Sequence, residues 1–148
     1  MNPLRSVVAV IAGAALISFI DRTLEQILVR AIADVPPVNE ATYLAVRNRP
    51  GVLAATLVTH ALAATLSGYI IAKIAGTYEM RHAIAAALVL TIGYAFAFMS
   101  DNVMLPPVWV RAAMLIVTAP ALLAGASIRA QARSIQEEAA DMRPKERS

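Results

Sequence analysis

The stretch ALISFIDRTLEQILVRAIAD, Ala15 to Asp34, decides the fold. An uncharged run, Ser6–Ile20, leads into it, and then Asp21, Arg22, Glu25 and Arg30 arrive among residues that remain apolar. The 15 uncharged residues make about 22 Å of helix, short of the roughly 30 Å of hydrocarbon in a bilayer. A helix that crosses must therefore carry Asp21 and Arg22, and Glu25 behind them, into the outer part of the membrane. At about 100° per residue, Ser18, Arg22, Glu25 and Val29 form one stripe. Asp21 flanks it on one side, Gln26 and Arg30 on the other, and Leu16, Ile20, Leu24 and Ile27 lie opposite. The segment reads as one continuous amphipathic helix, its charged face toward other helices or outer-leaflet water and its apolar face toward lipid. Ala31-Ile32-Ala33 has the form of a signal-cleavage site, but a long charged spacer separates it from the apolar run, so the segment reads as retained.

Three more apolar runs follow: Val52–Ala72, Ala83–Ser100 and Pro107–Ile128. Of the 148 residues 59% are hydrophobic and only 16% charged, against about 25% charged in soluble domains. The expected fold is an all-α integral membrane bundle of four transmembrane helices in a single domain. The spans fall at about 5–32, 52–74, 82–100 and 107–129, and a polar tail, 130–148, continues the last helix to about Met142. Between the first two spans, Glu40–Arg47 is expected to form a short surface helix. Gly76–His82 reads as a tight polar turn, Asp101 and Asn102 as the cap of the third span, and Pro106-Pro107 as a helix start. With no cysteine, thiol chemistry, disulfides and Cys-ligated metals are excluded.

Orientation follows from the basic residues. One side holds Arg5, Lys73, Arg81, Arg129, Arg133, Arg143, Lys145 and Arg147; the other holds Arg22, Arg30, Arg47, Arg49 and Arg111. The asymmetry favours both termini in the cytoplasm. The lipid bilayer is the expected partner, with a further copy of the chain or a larger membrane complex, and no nucleic acid.

The second span carries Thr56, His60, Ala63 and Ser67 on one stripe, and beside it Ala64, Gly68, Ala72 and Gly76, each four apart. Such small-residue spacing lets helix backbones approach closely. Counting from the helix ends puts Asp21, Arg22, Glu25, His60 and Arg111 in the outer half of the bundle. Pairing Asp21 or Glu25 with Arg22, Arg111 or His60 would reduce the roughly 2.5–3.5 kcal/mol that each ionised group costs at mid-membrane. The leading reading of this cluster is an ion-pair network that fixes helix register; the alternative is a proton, ion or solute site. His60 could also be an axial ligand for haem or a pigment, whereas His82, at the opposite membrane face, excludes bis-His ligation within one chain. No metal-ligand spacing, nucleophile elbow, phosphate loop or dinucleotide fingerprint is present, so neither an enzyme nor a required cofactor is expected.

The N-terminal LRSVVAVIAG, an acidic residue late in the first helix, SGYIIAKIAG running into RHA, and a proline followed by LLAGA in the last helix resemble a loose group of small uncharacterised bacterial membrane proteins with four helices. The resemblance marks Glu25 or Asp21, Gly68, Gly76 and Arg81-His82 as pattern positions. It implies the fold and no known activity; the expected location is a bacterial inner membrane. The chain also looks like a small multidrug resistance transporter, with four short helices and a carboxylate in the first. It departs from that pattern because arginines follow both carboxylates closely and aromatic residues are few around them. The expected function is that of a small structural or accessory membrane protein, with oligomeric small-solute or proton-coupled transport as the alternative and cofactor binding through His60 as the third.

Overall fold

The structure, a computed structural model, describes residues 3–142 apart from 35, 77, 101, 103 and 104. The proposed cap Asp101 and the tail cations Arg143, Lys145 and Arg147 lie outside the described residues. Among the described residues five helices follow in order: α1 Pro3–Ile32, α2 Glu40–Arg47, α3 Pro50–Ala75, α4 Glu79–Phe98 and α5 Val108–Asp141. All but α2 are long and apolar enough to cross a membrane.

Helix α1 is unbroken through its charges. Its 30 residues make about 45 Å of helix, longer than the roughly 30 Å of hydrocarbon in a bilayer. It stops at Ile32, shortly before Pro36-Pro37, which cannot continue a helix. Helix α2 has the expected bounds. Its start is fixed by a capping box in which the Asn39 side chain accepts from the Thr42 amide at 2.9 Å and the Thr42 hydroxyl oxygen accepts from the Asn39 amide at 3.3 Å. Pro50 opens α3, and Gly76 closes it with φ 70°, in the left-handed region that glycine adopts most cheaply. Gly76 is therefore the helix cap rather than the last rung of the small-residue ladder. Helix α4 begins at Glu79, three residues before the expected 82, because the turn is shorter than its polarity suggests. Tyr78 takes the left-handed conformation there, with φ 53°. Helix α5 runs past the expected span end at 129 to Asp141, and carries Pro120 on an exposed face.

The bundle is inside-out by the standards of a water-soluble protein. Among the described residues half of the buried apolar ones are alanines, Ala9, Ala64, Ala72, Ala86 and Ala126 included. The large apolar side chains face outward, as do Ile11, Phe19, Leu62, Ile92, Phe96 and Ile116. An apolar surface of this kind would aggregate in water and costs nothing in lipid, where close packing of small residues replaces the hydrophobic effect as the force between helices.

Helix α3 is the central element; its most extensive interface is with α5 and the next with α1, while α4 packs chiefly on α5. At the α3–α5 crossing, a Cβ on Gly68 would strike the backbone of Leu122, and one on Gly125 would strike the backbone of Thr65 and Tyr69. The two helices therefore interlock by a reciprocal pair of glycines. Ala64 and Ala72 of the ladder are fully buried beside this crossing, within the chain, with Ala72 against Ala83 and Ala126.

At the end that holds the α3 C-terminus, arginines satisfy its last carbonyls: the Arg5 guanidinium donates to Ile74 and that of Arg133 to Gly76. His82 bridges α4 to α1 through the Ser6 hydroxyl at 2.8 Å.

Candidate functional site

The face of α1 that enters the bundle is set by Ala9, Gly13 and Ile17, all buried, and continues to Asp21. This differs from the stripe read from charge. Ser18 and Arg22 are exposed, and Leu16, Ile20 and Leu24 are half-buried, with only Ile27 of the expected lipid face fully outward. In lipid both faces of a helix are apolar, so residue size and not polarity marks the packed one. Asp21 thereby points inward, and Arg22 does not.

Asp21 meets His60 of α3, whose side chain is completely buried: Oδ2 lies 2.7 Å from Nδ1. The other ring nitrogen, Nε2, lies 2.9 Å from the Thr118 hydroxyl of α5. The imidazole and the Tyr94 ring of α4 meet in a T-shaped contact, with ring centroids 5.4 Å apart. One side chain on α3 thus touches a residue from each of the other three long helices. With both nitrogens engaged and no exposed surface, His60 presents no open coordination position to haem or a pigment.

The valence of Thr118 links this network to proton content. Its hydroxyl also lies 2.6 Å from the Met114 carbonyl, and it has one proton to give. If that proton goes to Met114, Nε2 must donate to Thr118, and Asp21 and His60 hold two protons between them, either as imidazolium and carboxylate or as imidazole and acid. If it goes to Nε2, the pair holds one, as imidazole and carboxylate, and the Met114 bond is lost. Loss of a proton from the pair is therefore tied to rotation of the Thr118 hydroxyl.

Beside Asp21 a cavity of about 400 Å³ opens between α1, α4 and α5. Asp21, Arg22, Glu25 and Tyr94 line its polar part, and Leu105 and Met114 its apolar part. The second Asp21 oxygen, Oδ1, is buried and makes no hydrogen bond of ordinary geometry among the described residues, although the Tyr94 phenol is near enough to interact with the Asp21 carboxylate.

The other expected members of the cluster separate. Glu25 accepts a 2.7 Å hydrogen bond from the Tyr43 hydroxyl of α2, which ties the surface helix to α1. Burial, and then this contact with Glu25, push the Tyr43 phenol up to about 12. Arg111 does not pair with either carboxylate. It reaches the end of α4 and donates to the carbonyls of Ala97 at 2.6 Å, Phe98 at 3.1 Å and Ser100 at 2.7 Å. Arg22 forms no ion pair among the described residues.

No family model, curated protein or solved structure matches the chain.

Three contributors escaped the sequence reading. Thr118 sits on the buried stripe of Met114, Leu122 and Gly125, and that spacing is a signal for it. Tyr43 and Arg47 lie in the connecting segment, where they read as ordinary surface residues. Arg47 is instead buried and donates to the Leu105 carbonyl at 3.0 Å, which clasps α2 to the α4–α5 connection.

Proposed function

We propose that the chain is a small structural or accessory membrane protein, not an enzyme, that acts by associating with itself or with a larger membrane complex. The observation that supports this best is how the intramembrane polar groups are used. Asp21, His60 and Thr118 join three helices, Glu25 holds α2 through Tyr43, and Arg111 caps α4. These are the contacts of a scaffold that keeps one arrangement. The mass of the particle extracted in mild detergent tests the reading; the expected result is a species larger than one chain with its micelle.

A second reading, proton-coupled or small-solute transport, is favoured by the buried Asp21 oxygen beside the cavity. Proton flux into liposomes distinguishes the two. The scaffold reading expects no flux above protein-free liposomes and none that depends on Asp21. A well-folded Asp21→Asn protein that loses a flux present in the wild type would overturn it.

For localisation we propose a bacterial inner membrane with both termini in the cytoplasm, on the resemblance and the Lys/Arg asymmetry. A cysteine introduced at the exposed Asn39 of this Cys-free chain should then react with impermeant reagent added to intact cells. A protected Asn39 cysteine that reacts only after lysis would reverse the orientation.

A further inference from the structure

A second cavity of about 540 Å³ lies between α1 and α4, at the end of the bundle that holds the α3 C-terminus. Val7, Val10 and Ile11 of α1 and Ala85 and Val89 of α4 form its apolar walls, and Arg81 stands at one end. Its floor there is the hydrogen bond between His82 and Ser6, so those polar groups are already engaged. From Arg81 to Val89 the groove follows eight residues of α4, about 12 Å along the helix.

The charges around it are unequal in their partners. Arg133, at the same end, has both Glu79 at 3.8 Å and Glu137 at 2.7 Å. The exposed guanidinium of Arg81 rests on the Tyr78 ring, 4.9 Å from its centroid, and has no hydrogen bond or carboxylate among the described residues. Arg5, Lys73 and Arg129 stand on the same side of the bundle and make it the cation-rich end. A cation at the membrane boundary with an apolar groove running inward from it has the polarity sequence of an anionic phospholipid: a phosphate at the surface and an acyl chain below.

We infer that the α1–α4 groove is a binding site for an anionic phospholipid, whose headgroup phosphate is held by Arg81 and whose acyl chain lies along Val7, Val10, Ile11, Ala85 and Val89. Guanidinium and phosphate form charge-assisted hydrogen bonds, and the stacking on Tyr78 keeps the guanidinium at the mouth. The acyl chain fills the gap where α1 and α4 do not close on each other.

Native mass spectrometry of the full chain, released from detergent after incubation with phosphatidylglycerol or chain-matched phosphatidylcholine, tests the site. The wild type should retain phosphatidylglycerol several-fold more than phosphatidylcholine. Arg81→Gln, an exposed substitution that leaves the bundle intact, should level the two. Arg30→Gln, which removes an exposed cation at the opposite end, should leave the preference unchanged. Ala85→Phe, on the groove wall, should lower retention of both lipids. Undiminished preference in Arg81→Gln would overturn the inference. So would equal loss in Arg30→Gln, full retention in Ala85→Phe, or a lipid-free dimer in which a second copy fills the groove.

Discussion

Gly68→Ala and Gly125→Ala should each cost the bundle about 3 kcal/mol or more, the largest effect of any single methyl group in this protein. Overpacking a core commonly costs about 1–3 kcal/mol, because side chains can move aside. Here the added Cβ meets the backbone of Leu122 in one case and of Thr65 and Tyr69 in the other, and a helix backbone has no rotamer to change. The helices must separate, which also opens the adjoining contacts of Ala64 and Leu122, both fully buried. Two other glycines serve as internal controls. At Gly13 the new Cβ would clash with the side chain of Ile71 and make only an ordinary contact with the Ser67 carbonyl, so its substitution should cost less. At Gly93 nothing is in the way, and alanine should be neutral or stabilise by up to about 1 kcal/mol through helix propensity. Thermal aggregation in detergent, with Leu62→Ala as an outward-facing reference, gives the order. Equal tolerance at positions 68 and 93 would remove the glycine interlock from the account of this fold.

The second large effect is expected at His60. His60→Ala should destabilise by roughly 3–5 kcal/mol, because it leaves the Asp21 carboxylate in a poorly solvated place without its partner. Asp21→Ala should cost less, since His60 stays packed in its buried place and keeps Thr118. The double variant should then be more stable than the sum of the single losses allows, with a coupling of about 1.5–3 kcal/mol, the range for a hydrogen bond to a charged group. Additive losses would mean that the 2.7 Å contact contributes little. Thr118→Val gives an independent readout: it removes the hydroxyl that partners Nε2 of the buried ring. It should lower the melting temperature by more than Thr65→Val, whose hydroxyl bonds only its own helix. Equal effects of the two would mean that the Thr118 contact does not hold α5 to α3.

Much of this arrangement was legible from residue order. The uninterrupted α1, the bounds of α2, the buried stripe Thr56–His60–Ala63–Ser67 and the long polar end of α5 all follow from periodicity, proline placement and capping residues. What failed was the choice of face on α1. In water, polarity separates core from surface. In lipid, the exposed and packed faces are both apolar, and the signal passes to the small residues Ala9 and Gly13, which point to Asp21 and away from Arg22. The partners of Glu25 and Arg111 were hidden for a different reason. Tyr43 and the carbonyls of α4 are reached by long side chains across a loop, and no spacing rule within one helix describes such a contact.

The bridge through His60 also has an order in time. Asp21 and His60 are 39 residues apart, whereas His60 and Thr118 are separated by 58. As the chain is synthesised, the carboxylate–imidazole contact is available once α3 has entered the bilayer, while the α5 face that completes it does not yet exist. During that interval the glycine-lined side of α3 and one nitrogen of His60 have no partner from their own chain. The last helix to arrive therefore fills a place already shaped by the first two long ones, and the speed of its delivery governs how long a half-built bundle is open to the wrong neighbour.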